Sequence, residues 1–304
     1  MIDIHNLSGC LFVVVLSLFT GKPQVLTVYS NLAQAFVSPH IAEGSEQLGQ
    51  RIWGILQKKV LKAKDYPKGE AVQLTTLESL LEKNLKLASK PFKRKKSAVS
   101  SSKKKQSASW TRHKMVTSLA QSSTFWILKI IDAGKFLESE LQRVLDIFQG
   151  VLVGYFESKK SQIKSEFLKE IFRRRPWIGH HLFGFLLEKC GSTKSEFRRV
   201  EALDLVAEIL KSLVSTDESG QDASKKVMKS HLRELCDLIK DLVTNMPEKQ
   251  SRRAEVRKFC GRVLQIISNL NLNRSFLKHL DSDAHAACEA QLGENFVNLK
   301  KVER

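Results

Sequence analysis

Leu141-Gln142-Arg143-Val144-Leu145-Asp146-Ile147-Phe148-Gln149-Gly150-Val151-Leu152-Val153-Gly154-Tyr155-Phe156 is the stretch that decides the fold. Its apolar residues Leu141, Val144, Leu145, Phe148, Val151, Leu152, Tyr155 and Phe156 recur at i, i+3, i+4 and i+7, which draws one stripe along a helix of about five turns. The same period continues downstream. A second helix is expected from Ser161 to Arg174, with Ile163, Phe167 and Ile171 inward and Pro176 as its stop. A third, from Trp177 to Lys189, is apolar on nearly all sides and therefore central.

Thr193-Lys194-Ser195-Glu196 has the form of a capping box, followed by the stripe Phe197, Val200, Leu203, Val206, Leu210 and Leu213. Residues Ser215 to Ala223 read as an acidic loop. Met228, Leu232, Leu235, Ile239 and Leu242 mark another helix, ended by Pro247, and Val256, Phe259, Cys260, Val263, Ile267 and Leu270 mark the next. Upstream the grammar repeats: Val25 to Phe36, then Leu48, Ile52, Trp53, Leu56 and Val60, then a second capping box, Thr75-Thr76-Leu77-Glu78, ahead of Leu80, Leu81 and Leu87.

Successive helices without an intervening strand pattern predict an all-α chain of antiparallel hairpins. A hairpin recurs roughly every 40 residues, and long helices begin near 137, 194 and 250, so the period is irregular and resembles HEAT or armadillo stacking. A single closed bundle is the competing arrangement.

Between Lys83 and Ile131, 49 residues contain no Asp or Glu and thirteen Lys or Arg. Thirteen of the net +18 charges therefore sit in one sixth of the chain. The centre of this stretch reads Pro91-Phe92-Lys93-Arg94-Lys95-Lys96, a run of small residues, then Lys103-Lys104-Lys105. So basic and serine-rich a segment cannot offset its chain entropy by burying apolar surface, which predicts a disordered linker over 90–118. It divides an N-terminal helical block, 1–89, from a C-terminal helical-repeat block, 119–280, with a tail over 281–304. Clusters such as Lys93, Arg94, Lys95, Lys96, Lys103, Lys104 and Lys105 are read by nuclear import receptors or by nucleic-acid phosphates, and both place the protein in the nucleus.

Five cysteines, none closer than 24 residues to the next, give no zinc or disulfide spacing and predict reduced, buried thiols. The most apolar run, Cys10 to Phe19, is about half a bilayer span, follows Asp3 rather than a basic segment, and precedes no cleavage site. A buried helix is expected there, with no membrane anchor and with Met1 an internal start.

Reactive side chains crowd in three places. His180-His181 follow Arg173-Arg174-Arg175, but adjacent histidines diverge by about 100° on a helix and cannot grip one metal together. The three arginines fit the last turn of a helix, where cations complement the macrodipole, and are candidates for phosphate contact. Asp281-Ser282-Asp283-Ala284-His285 brings carboxylates beside a histidine, and helix N-capping accounts for them. Arg252 and Arg253 open a helix where the dipole prefers acids, a second phosphate candidate. No nucleotide-binding loop, nucleophile elbow or paired Cys/His nucleophile occurs, so the reading is non-enzymatic, without metal or cofactor.

Two stretches go beyond generic helix. Phe172-Arg173-Arg174-Arg175-Pro176-Trp177-Ile178-Gly179-His180-His181-Leu182-Phe183-Gly184 running into Ser195-Glu196-Phe197-Arg198-Arg199-Val200-Glu201-Ala202-Leu203, with Phe125-Trp126-Ile127-Leu128-Lys129-Ile130-Ile131, resembles the C-terminal region of plant members of the Myb-binding protein 1A / DNA polymerase V (polymerase phi) family. Arg51-Ile52-Trp53-Gly54-Ile55-Leu56-Gln57-Lys58-Lys59 resembles the same region, so the likeness spans most of residues 40–270. It implies a nucleolar helical-repeat scaffold and transcriptional regulator that supports rDNA transcription, rRNA production and ribosome biogenesis. Its implied partners are rDNA or rRNA, an import receptor, and nucleolar or transcription proteins. The family name also implies the alternative of a DNA-directed DNA polymerase, for which no metal-binding carboxylate motif is present; a pure protein adaptor using the linker for import alone is the other alternative. The larger N-terminal solenoid and acidic tract of the family pattern are not in this sequence, which reads as a C-terminal fragment or shortened copy.

Overall fold

The computed structural model describes residues 20–38, 46–69, 72–91, 103–158, 163–193, 195–214 and 218–301. All regular structure among them is helical. The chain divides between Ile163 and Lys164 into two compact units, not at the basic stretch as the sequence predicts.

The first unit contains α1 (Gln24–Val37), α2 (Glu46–Ile55) widening into a π-helical turn (Leu56–Val60), α3 (Leu74–Ser89), α4 (Lys103–Ala133) and α5 (Gln142–Glu157). Its closest pair is α3 with α4, and α5 packs on α3 while α1 packs on α2 and the π turn. Of the expected α5 stripe, Val144, Leu145, Phe148, Leu152, Tyr155 and Phe156 are buried, and Leu141 and Val151 are half-buried. At the centre, Tyr29 of α1 meets Trp126 of α4 with ring centroids 5.2 Å apart and donates its hydroxyl to Asn84 Oδ1 of α3 at 2.9 Å.

α4 corrects the linker expected over 90–118 for its second half, residues 103–118, while 92–102 lie outside the described residues. Composition over that window registers only charge, whereas Leu119, Ala120, Ser123, Trp126, Ile127, Ile130 and Ile131 form a buried helical stripe beginning at its far end. Once this half is docked, each further residue upstream adds a backbone hydrogen bond without a new nucleation cost, so the helix extends back to Lys103. Arg112 fixes the middle, donating to the Phe36 carbonyl and lying over the Phe36 ring. Lys93, Arg94, Lys95 and Lys96 lie outside the described residues, as do the Cys10–Phe19 run and Cys10 itself.

The second unit contains α6 (Ser165–Arg174), α7 (Pro176–Ser192), α8 (Glu196–Ser212), α9 (Glu218–Ser230), α10 (Leu232–Thr244), α11 (Gln250–Asn269), α12 (Asn273–Leu277), α13 (Ser282–Leu292) and α14 (Glu294–Lys301). Its packing is that of stacked pairs. α7 lies on α8, α7 on α10 and α10 on α13, while α8 lies on α11 and α11 on α14. α7/α8 and α13/α14 are packed pairs, α10 lies between α7 and α13, and α11 lies between α8 and α14, which gives two rows, with α6 against both α7 and α8. First-row helices start at Pro176, Leu232 and Ser282, 56 and 50 residues apart, because α9 and α12 are inserted between pairs.

Several local expectations change. Ser195, not Thr193, caps α8, accepting from the Arg198 amide, and Leu74 begins α3 with no side-chain cap, so neither capping box forms as spaced. Phe197 and Leu48 face outward, 62% and 46% exposed, since each lies in the first turn of its helix before the packed face begins. The loop expected to run to Ala223 is helical from Glu218. The expected tail is instead the last helical pair, anchored by buried Ala284, Cys288, Leu292, Phe296 and Leu299.

Candidate nucleic-acid interface

The acid-free stretch becomes the end of α3, residues outside the description, and α4. Lys103, Lys104 and Lys105 occupy the first turn of α4. Two turns on, Trp110 is 40% exposed. His113 stacks against it with centroids 5.8 Å apart, and Lys114 Nζ lies 5.1 Å from its ring centre. Burial, helped by the nearby Lys90 charge, holds the His113 imidazole below its ordinary pKa, so the ring is neutral near neutral pH. Trp110 sits in the basic stretch, but sequence reasoning did not single it out; an aromatic flanked by cations at helical spacing was the available signal.

The arginine candidates of the second unit are not gathered into one site. Arg173 pairs with Glu208 through Nε at 3.0 Å and with Glu170 at 2.5 Å, and Arg174 Nε holds the other oxygen of Glu170 at 2.6 Å. Arg175 turns the chain from α6 into α7. Arg252 pairs with Glu196 and so ties α11 to α8, while Arg253 donates to the Pro247 carbonyl at 2.6 Å. Carboxylates and carbonyls of this unit therefore account for all five candidate arginines, Arg175 Nη1 donating to the Arg174 carbonyl at 3.5 Å.

Histidines and carboxylates likewise take structural positions. His180 Nε2 lies 3.0 Å from Ser212 Oγ, and burial with the neighbouring His181 charge lowers its pKa. Asp281 caps α13 by accepting from the Ala284 amide at 2.8 Å, as expected, and pairs with Lys240. Cys190, Cys236, Cys260 and Cys288 are free and buried, and burial pushes the Cys236 and Cys260 thiols up to about 12. Among the described residues, no group of His, Cys, Asp or Glu is placed to hold a metal, and no helix is long and apolar enough to cross a membrane.

Residues 1–163 hold 24 Lys and Arg against 12 Asp and Glu, and residues 164–304 hold 26 against 20. In the second unit Lys169, Arg173, Arg174, Arg198, Arg199, Lys211, Lys240, Arg252 and Lys300 all face carboxylates. Among the described residues of the first, Lys68, Lys86 and Arg143 are examples.

No curated protein and no solved structure is significantly similar to the chain. A family model described as Myb-binding protein 1A-like, TPR repeats, matches residues 54–302. TPR units, like the HEAT or armadillo units expected above, are helical pairs, but they repeat at about 34 residues. The longer spacing here reflects the inserted α9 and α12. With the match running from the end of α2 through the last stacked pair, the chain belongs to the Myb-binding protein 1A-like family of helical-repeat proteins.

Proposed function

We propose that the protein is a non-enzymatic scaffold of the nucleolus that supports rDNA transcription, rRNA production and ribosome biogenesis. It binds nucleic acid through its basic stretch with little regard to sequence. The observation that carries this reading is the acid-free span from Lys83 to Ile131, whose second half is a helix held to the folded unit and presenting Trp110 and Lys114. Lysine ammonium groups neutralise phosphates as point charges and lack the forked donors that read base edges, which makes the binding sequence-tolerant. Stacked helical pairs supply the protein-binding surface of a scaffold. The carboxylates nearest a histidine serve as a cap and an ion-pair partner, which supports a role without catalysis.

The test is an anisotropy titration on mixed-sequence DNA and RNA across a salt series, with the same protein followed as a fluorescent fusion in cells. About six phosphates engaged by the basic stretch contribute about −5 to the log-log slope on duplex DNA. Changing Lys93, Arg94, Lys95, Lys96, Lys103, Lys104 and Lys105 to glutamine removes most of that slope and moves the fusion out of the nucleus. A variant that leaves the nucleus yet keeps the full slope refutes nucleic-acid binding through this stretch and leaves an adaptor whose basic clusters serve import alone.

A further inference from the structure

Between Ile55 and Gly69 the chain carries Lys58, Lys59, Lys62, Lys64 and Lys68 against one acid, Asp65. The π turn Leu56–Val60 closes with the Leu61 amide donating to the Leu56 carbonyl at 2.9 Å. Leu56 and Val60 are buried at 0% and 1% exposure, while Lys58 and Lys59 stand outside. The loop that follows carries Lys62, Lys64 and Lys68, all exposed. It is seated by Tyr66, which is half-buried against α4: Lys129 Nζ lies 3.9 Å from the ring centre and Lys68 Nζ 4.7 Å from it. Asp65 is already engaged, accepting from the Tyr66 amide at 3.0 Å and facing Lys68 at 3.9 Å.

Among the described residues, Lys58, Lys59, Lys62, Lys64 and Lys129 make no ion pair. Exposed cations on the π turn and the loop that follows, and Lys129 beside that loop, are thus left without carboxylates. Unrelieved repulsion of this kind is reduced by a polyanion. Lys129 also joins this surface to the other end of α4. Trp110, Lys114, Ser118, Gln121, Phe125 and Lys129 recur at spacings of four and three along one side of the helix, without an acid among them. At 1.5 Å per residue that side runs about 28 Å from Trp110 to Lys129, a length suited to a continuous strand of phosphates.

We propose that the exposed Lys58, Lys59, Lys62 and Lys64 of the π turn and its following loop, with Lys68 and Lys129 over the Tyr66 ring, form a second and folded seat for nucleic-acid phosphates. The aromatic rings interleaved with the lysines favour nucleic acid over an acidic protein segment. This rests on the reading that the chain binds nucleic acid, but not on which lysines of the basic stretch do so.

The experiment uses the full chain, a fluorescein-labelled DNA duplex and a labelled single strand of the same sequence. The variant Lys58→Gln, Lys59→Gln, Lys62→Gln, Lys64→Gln changes only exposed side chains outside any ion pair, and circular dichroism verifies its fold. The log-log salt slope on duplex falls by about 3 to 4, at roughly 0.9 for each phosphate no longer neutralised. An unchanged slope overturns the seat, whatever the variant in the basic stretch does. If that other variant keeps the wild-type slope while this one loses it, the basic-stretch reading fails and the seat stands. Displacement of the duplex by polyglutamate at equal charge concentration assigns the surface to an acidic protein and also overturns the proposal.

Discussion

Replacing Tyr29 by phenylalanine removes one oxygen from the interior of the first unit and nothing else. Tyr29 is 1% exposed and Asn84 4%, and the phenol donates to Asn84 Oδ1 at 2.9 Å. The phenylalanine ring keeps its packing against Trp126, so no cavity forms; the cost is that of a buried amide oxygen left without a donor, about 1–3 kcal/mol. Tyr29→Ala, which also opens a cavity, costs about 3–5 kcal/mol. Tyr29→Phe combined with Asn84→Leu removes both polar partners and recovers most of the loss, because an apolar pair of similar shape leaves nothing unsatisfied. Urea denaturation followed by tryptophan fluorescence reads this unit, which holds Trp53, Trp110 and Trp126 of the four tryptophans. Alkaline pH gives an independent check. Burial pushes the Tyr29 phenol up to about 12 from an ordinary value of 10.0, outweighing its hydrogen bond to Asn84. The unfolded chain ionises first, so this stability is fully present below pH 10 and is lost as pH rises towards 12, on the order of 3 kcal/mol by linkage. Wild type therefore converges on Tyr29→Phe over that range. Parallel stability curves for the two, or a double variant less stable than Tyr29→Phe alone, refute the reasoning.

Glu208→Gln in the second unit costs about 1–3 kcal/mol, since Glu208 is 5% exposed and accepts from both Arg173 and Lys211. Burial alone raises the Glu208 carboxyl, but Lys211 and Arg173 outweigh it and hold it below the usual carboxylate range. Its stabilisation is thus present above the ordinary carboxylate pKa and lost as pH falls through the depressed one, so acid denaturation curves of wild type and variant converge at low pH. Cys190, Cys236, Cys260 and Cys288, with thiols raised chiefly by burial, stay unreactive to a disulfide reagent at neutral pH until urea unfolds the second unit, and a thiol count taken across the urea transition checks this.

Periodicity made the helices of the packed regions legible because each has a full apolar face: the stripes from Val144 to Phe156 and from Leu232 to Val243 are buried as spaced. Ends were less legible. A Thr-x-x-Glu pattern can form at several registers, and which hydroxyl caps depends on where the neighbouring helix stops the chain, so Ser195 took the place of Thr193. The basic clusters were visible as composition, but nothing local indicated that Lys103, Lys104 and Lys105 would share a helix with Trp110. The arginines illustrate the opposite error: in sequence Arg173, Arg174 and Arg252 look available, and only packing supplies Glu208, 35 residues from Arg173, and Glu196 for Arg252.

By itself, then, the sequence determined an all-helical chain with its charge surplus in the first half, since helical period and net charge are local sums over neighbouring residues. Tertiary structure decided the division after Ile163, the two stacked rows of the second unit, the helical state of residues 103–118 and the meeting of Lys129 with Lys68 over the Tyr66 ring. Each of those depends on packing between residues far apart in the chain, and no local window carries the information about which distant face a helix will meet.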